Sequence, residues 1–344
     1  MAYTTIDNPT DYFNTVLYTG NGTNPTSITG VGFQPDWLWI KRRDASGGHN
    51  LYDVVRGSTK RLESHNDGAE ATTSDISSFD SDGFTLNTTG VNTSSATYVS
   101  WNWLAGGSAS SNSNGSITSS VSANTTSGFS IVSYTGTGSN ATVGHGLGAV
   151  PQTVIVKRRS GSSESWMSYH EPLGNTGRLG FNFDDGVAND SSYWNSTTPT
   201  SSVFSIGTNG STNASSETYI AYCFAEKKGY SKFGSYTGNG NSDGTFVYTG
   251  FKPAFVITKR TTDGNESWHI FDNKRNTFNE VNTRIQGNSS GGEDTAAPLG
   301  DFVSNGFKIR GTGGGINVSG KNFIYIAFAE SPFVSSGGIP TTAR

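Results

Sequence analysis

Five histidines, one cysteine and a scatter of carboxylates are the groups on this chain that could hold a metal, activate a nucleophile or move a proton. Their spacing builds none of those devices. His49, His65, His145, His170 and His269 form no pair at helical i, i+4 spacing, and the lone Cys223 cannot complete a zinc cluster with them. Cys223 lies between Tyr222 and Phe224 in an apolar strand pattern, which predicts a buried, inert thiol and excludes a disulfide framework. Asp80-Ser81-Asp82-Gly83 and Asp184-Asp185-Gly186 set oxygen ligands beside a glycine, as calcium loops do, but lack the terminal bidentate glutamate, so plain turns are expected. No metal and no cofactor is predicted.

Catalytic motifs fail for equally physical reasons. Gly240-Asn241-Ser242-Asp243-Gly244 has the letters of a nucleophile elbow but follows Tyr-Thr-Gly in a Gly/Asn loop, not a strand-to-helix turn. Gly136-Thr137-Gly138 to Ala141 imitates a dinucleotide fingerprint with no helix behind it to face a pyrophosphate. Glu226 and Glu330 occupy equivalent Phe-Ala-Glu positions where Ala105-Gly106 stand in an earlier copy, so they read as strand-end decoration. A carboxylate pair for glycoside hydrolysis is set by the fold, not by spacing, and none is indicated. The expectation is a protein without catalytic residues.

What remains is aromatic side chains on a nearly neutral, polar chain, the composition that binds carbohydrate by stacking rings on sugar faces. Trp166, Trp268, Tyr169 and Phe271 recur between copies and are predicted to pack in cores. Tyr193-Trp194, in a polar loop with no counterpart, is the preferred exposed pair, and His269 beside Trp268 is a further candidate to line a sugar site.

The elements that position these residues come in threes. Tyr18-Thr19-Gly20, Tyr134-Thr135-Gly136 and Tyr236-Thr237-Gly238 are each followed, at one shared interval, by Pro35, Pro151 and Pro253 and then by Lys41-Arg42, Lys157-Arg158 and Lys259-Arg260. Each copy runs about a hundred residues, long enough to bury a core of its own. The runs after the prolines are short, β-branched and aromatic, with Leu38, Val154 and Val256 on one face and Trp39, Ile155 and Ile257 on the other, as in a strand covered on both sides. Turn clusters such as Asn305-Gly306 separate the strands, and no stretch keeps a helical apolar period. An all-β fold of three tandem antiparallel β-sandwiches, jelly-roll or concanavalin-like, is predicted. Its domains are 1–107, 129–228 and 229–334, with a Ser/Asn/Gly-rich linker at 108–128, where Ile117 and Val121 leave room for a short strand, and a surface tail at 335–344. The second and third copies, almost directly joined, are expected to be the closer pair.

Gly at 45 of 344 residues and only 15% charged residues suit short strands and many turns, and a net charge of -4 without a basic stripe argues against nucleic acid or an anionic membrane as partner. Met1 to Thr10 is polar and no run of about 20 apolar residues occurs, so neither a signal peptide nor a membrane span is expected.

Several strings, among them Gly128-Phe129-Ser130-Ile131 to Gly136, Gly144-His145-Gly146-Leu147-Gly148, Tyr222-Cys223-Phe224-Ala225-Glu226 and Phe328-Ala329-Glu330-Ser331-Pro332-Phe333, resemble the tandem repeats of virion proteins from tailed phages of marine and freshwater bacteria. That resemblance implies lectin-like sandwiches, a place on the particle surface or tail fibre, other virion subunits as partners, and a homo-oligomer, with a trimer favoured. It supplies no catalytic set. An adhesin for host surface polysaccharide, a decoration or assembly protein without glycan affinity, and, third, a polysaccharide depolymerase are the functions it leaves open.

Overall fold

The computed structural model describes residues 2–342. Almost every element is an antiparallel strand. Each repeat contributes one large sheet built around the same four strands, named here by role. The opening strand is Phe13–Thr19, Phe129–Thr135 or Ser231–Thr237. The proline-led strand is Trp37–Arg42, Thr153–Arg158 or Phe251–Arg260. The return strand is His49–Asp53, Met167–His170 or His269–Asp272. The closing strand, Thr97–Trp103, Thr218–Phe224 or Asn322–Pro332, lies between the opening and proline-led strands in all three copies. Proline sits where the ladder can spare a donor: before the strand at Pro35 and Pro151, and at a register break at Pro253.

The large sheets are covered on both faces, as their two-sided apolar pattern predicts. One face meets a small sheet of the same repeat, with Leu38, Ile40, Phe84 and Leu86 buried together in the first copy, Val154, Val156, Phe204 and Ile206 in the second, and Val256, Phe302, Phe307 and Ile309 in the third. These are the antiparallel sandwiches. The other face of every large sheet turns inward to one shared core, where Trp37, Trp39, Trp101 and Trp103 meet Phe129, Ile155, Tyr222 and Phe224 and also Phe255, Ile257, Ile326 and Phe328. The repeats therefore do not hang as beads. Only about 10 Å³ of space is left among Trp37, Trp103, Phe224, Phe255 and Phe328, with no polar lining, so the axis is a packed core and not a ligand channel.

The Tyr-Thr-Gly signature has a structural cause repeated in each copy. Tyr18, Tyr134 and Tyr236 stack on Tyr98, Tyr219 and Phe323 at ring separations of 4.9, 5.1 and 4.9 Å. Their hydroxyls donate to the carbonyls of Val91, Thr212 and Ile316 at 2.9, 2.8 and 2.8 Å. The glycine that follows has backbone pressed against it: a Cβ on Gly20, Gly136 or Gly238 would lie 2.2, 2.3 or 2.4 Å from the carbonyl oxygen of Thr93, Ala214 or Val318. Buried Asn92, Asn213 and Asn317 hold the loop by accepting from the N–H of Asn21, Thr137 and Asn239 at 3.0, 2.7 and 2.9 Å.

The seams between repeats are cyclic: second on first, third on second, first on third. Trp166 Nε1 donates to Glu63 O and Trp268 Nε1 to Gly180 O, both at 2.9 Å. At the third seam His49 stands at the tryptophan's register position, its Nε2 3.0 Å from Gln286 O. Trp39 Nε1 donates to His49 Nδ1 at 2.8 Å, which fixes Nδ1 as the bare nitrogen and Nε2 as the donor. Backbone bonds repeat the pattern, from Glu70 N to Arg159 O, Val187 N to Thr261 O and Glu293 N to Arg43 O at 2.9, 2.9 and 2.8 Å. So do the paired basic residues of the sequence. Lys157, Lys259 and Lys41 reach the neighbour's Asp67, Asp184 and Ser290 carbonyls at 3.2, 3.0 and 3.2 Å, and burial lowers each ammonium to about 8. The first repeat thus touches both others through the same kinds of contact that join the second to the third.

One expectation about connecting segments is corrected. Residues 108–128 are not a linker: Ser110–Asn112 and Ser119–Asn124 form strands that add to the second large sheet, the latter pairing along the opening strand from Phe129 to Ser133. Val121, at 5% exposure, joins the second repeat's core, which is why the segment orders despite its Ser/Asn content. The tail folds back, with Thr341 N bonded to Phe333 O at 2.9 Å and Ser336 bonded to Asp7; Met1, Ala343 and Arg344 lie outside the described residues.

Candidate interaction site

The predicted sugar-stacking pair is not exposed. Tyr193 and Trp194 form the end of a helical turn, Ser191–Trp194, whose start is capped by Asp190 accepting from Ser192 N at 2.8 Å. The turn drives both rings into the second repeat's core, at 8% and 2% exposure. Trp194 Nε1 donates to Gly177 O at 3.1 Å, and the Arg178 guanidinium carbon lies 5.6 Å from the Tyr193 ring centre. A sugar has no ring face to reach there. His269 is likewise 1% exposed, on the return strand beneath Gly315, with Arg284 Nη1 3.4 Å from its Nε2. Burial first and then Arg284 push its pKa down to about 3. The three candidates share no surface, and the core roles predicted for Trp166, Trp268, Tyr169 and Phe271 hold.

Other groups of chemical interest are also committed, the thiol by burial and the glutamates by ion pairing. The Cys223 thiol is buried, and burial pushes its pKa up. Glu226 pairs with Lys232 at 3.2 Å and Glu330 with Lys252 at 3.0 Å. Among the described residues no three His, Cys, Asp or Glu side chains converge in a way that could hold a metal ion, and no helix is long and apolar enough to cross a membrane.

What the surface does offer is unpaired strand edge beside grooves. In the second repeat the opening strand is covered by Ser119–Asn124, but in the first and third repeats it is the last strand of its sheet. A groove of about 860 Å³ runs along Lys232, Phe233, Gly234 and Ser235 of the third opening strand, with Gln152, Glu171 and Pro172 of the second repeat on its far side. A second groove of about 590 Å³ continues past Ser235 and Thr237 between Asn189, Thr261, Thr262 and Asn322. The first repeat's edge has a smaller one of about 210 Å³ along Phe13, Asn14 and Thr15, facing Ala254 and Asn273 of the third.

Ladder phase tells which backbone groups face the large groove. Ala329 N bonds to Tyr230 O at 2.8 Å and Gly238 N to Lys321 O at 2.9 Å, so the even-numbered residues between them bond to the closing strand. Phe233 and Ser235 therefore turn their N–H and C=O groups outward. In the second repeat the residues at the same register are Ile131 and Ser133, opposite Ser122 and Ser120 of the added strand. Sequence reasoning passed over this site because an unpaired backbone group carries no residue signature; the signal was that only the second copy has an extra segment before its opening strand.

No curated protein sequence matches the chain. A family match runs through all three repeats, from residue 8 to residue 332, and on that extent the chain belongs to the family described as "Domain of unknown function (DUF7483)".

Proposed function

We propose that this chain is a non-catalytic structural subunit of a tailed-phage particle, placed at its surface or tail, which works by docking to other virion subunits. The observation that carries this reading is the contrast between spent side chains and open backbone. The aromatic and histidine side chains proposed for ligand chemistry are buried, while two strand edges lie open beside grooves. A shared aromatic core with cyclic seams gives a stiff body, as a particle component needs outside the cell without disulfides. Because three repeats already close on one another within one chain, no second copy is required to complete the core, and the trimer expected from sequence is not a packing necessity.

A glycan-binding adhesin is the second reading, favoured by the hydroxyl- and amide-lined groove at Asn189, Thr237, Thr261, Thr262 and Asn322. The two readings part on one measurement: binding of the labelled protein to host cells, with and without competing host surface polysaccharide. No saturable binding is expected. Binding abolished by the polysaccharide would replace the assembly reading with the adhesin.

A further inference from the structure

We propose that the open edge of the third repeat, Phe233 to Ser235, receives an extended, uncharged Ser/Thr/Asn-rich segment of a partner subunit as an added antiparallel strand; this rests on the assembly reading above. The molecule carries its own precedent. At the same register of the second repeat, Ser119–Asn124 is already added to the sheet, its polar Ser120 and Ser122 opposite Ser133 and Ile131 and its apolar Val121 turned into the core. The third repeat has no such segment in its chain, and a groove of about 860 Å³ stands beside the equivalent residues.

Chemistry along the groove defines the occupant. Phe233 and Ser235 offer outward N–H and C=O groups in the antiparallel rhythm, and no hydrogen bond to their N–H groups is formed among the described residues. Gly234 stands where Val132 pairs with Val121, and Tyr325 fills the space its side chain would take, its hydroxyl oxygen 2.7 Å and its nearest ring carbons 2.9 Å from a Cβ placed there. A small apolar side chain opposite Gly234 would rest on that ring, as aromatic rings do across from strand glycines. Charge along the rim is balanced, Lys232 being paired with Glu226, with Lys228 and Glu171 nearby. An uncharged strand fits this rim and a strongly charged one does not.

The probe is a synthetic peptide with the sequence of Ser116–Thr126, titrated into the full chain while amide hydrogen exchange is followed. Saturable binding is expected, with exchange at Phe233 and Ser235 slowed at least tenfold. Ser235→Pro should abolish it: the substitution removes an outward N–H and leaves the closing-strand bonds intact, so circular dichroism and thermal unfolding should match the parent. Leu17→Pro, the register equivalent on the first repeat's edge, should bind as the parent does. No protection at millimolar peptide, binding that survives Ser235→Pro, or loss only in Leu17→Pro would each overturn the assignment. A dimer of the chain that Ser235→Pro dissolves would put a second copy in place of the partner segment. The peptide result is independent of the cell-binding measurement, so failure here leaves the assembly reading to be judged on its own.

Discussion

The seams between repeats and the outer edges of the same sheets obey opposite rules. Each seam has the same scheme of ring N–H, lysine and backbone bonds to a neighbour's carbonyl. The opening strands, by contrast, are alike in sequence and pairing to their closing strands but differ in what lies outside them, covered in the second repeat and bare in the first and third. The carbonyl-directed bonds that hold the three copies together recur at all three seams, while the covering of the outer edges does not. The landmark residues of the repeat therefore serve cohesion, and departures from the repeat are the place to look for function.

The largest effect should come from breaking a charged seam. Asp53 and Arg56 are fully buried, 2.5 Å apart, with Tyr222 of the second repeat donating to Asp53 at 2.8 Å; Asp272 and Arg275 repeat the arrangement at 2.6 Å, with Trp101 of the first repeat as donor at 3.1 Å. At the third equivalent position stands His170, bonded through Nε2 to Tyr325 O at 3.1 Å. Arg56→Leu strands a buried carboxylate and should cost about 3–5 kcal/mol in denaturant unfolding. The neutral seam should be gentler, His170→Leu costing about 0.5–1.5 kcal/mol, because the Tyr325 carbonyl keeps its ladder bond from Gly234 N–H when the histidine is lost. Because the core is shared, the parent and both variants should unfold in one transition; three separate transitions would break the single-body picture.

A smaller and more local test compares the same substitution on a covered and a bare edge. Ser133→Pro deletes a ladder donor facing Ser120 and should cost about 1–3 kcal/mol. Ser235→Pro, at the equivalent register with nothing opposite, should stay within about 0.5 kcal/mol of the parent. Equal costs in a thermal-melt comparison would mean the third edge is covered by something other than solvent.

Much of the fold was legible because strand burial leaves a periodic trace: Leu38 against Trp39, and their counterparts, are divided between two cores as their alternation predicts. The one-body arrangement was not legible. A Trp facing a neighbouring repeat and a Trp facing its own small sheet are spelled alike, so domain boundaries drawn from length concealed a common core. Tyr193 and Trp194 misled for a related reason: their neighbours are polar, but the Asp190 cap starts a helical turn that rotates both rings inward. Residues 108–128 misled by composition, since Ser119 and Ser122 are buried through hydrogen bonds with Gly144 O and Gly106 N–H and leave no apolar trace, with Val121 the only strongly apolar anchor in the added strand.

The subtlest test separates the seam whose ring donor is His49 from the two whose ring donor is tryptophan. Burial, aided by Lys41 and His65, pushes His49 well below the ordinary histidine value, and burial likewise lowers His145, His170, to about 4, and His269, to about 3. A depressed folded pKa means that the unfolded chain takes up protons first. The stability held by these neutral rings is complete above about pH 6.5 and declines as pH falls toward the folded values. Lys41, Lys157 and Lys259, lowered to about 8, follow the same sign in a separate window, with stability rising between about pH 8 and the ordinary lysine value near 10.4. His49→Gln has no charge to gain in acid. It should reduce the slope of unfolding free energy against pH, as pH falls below about 6.5, by up to about 1.4 kcal/mol per pH unit, the contribution of one proton. Trp166→Phe removes a seam donor without a titrating group and should shift the curve down without changing that slope. A parallel shift in both variants would show that protonation of His49 does not open its seam, and that the acid sensitivity resides in the other lowered histidines, His65, His145, His170 and His269.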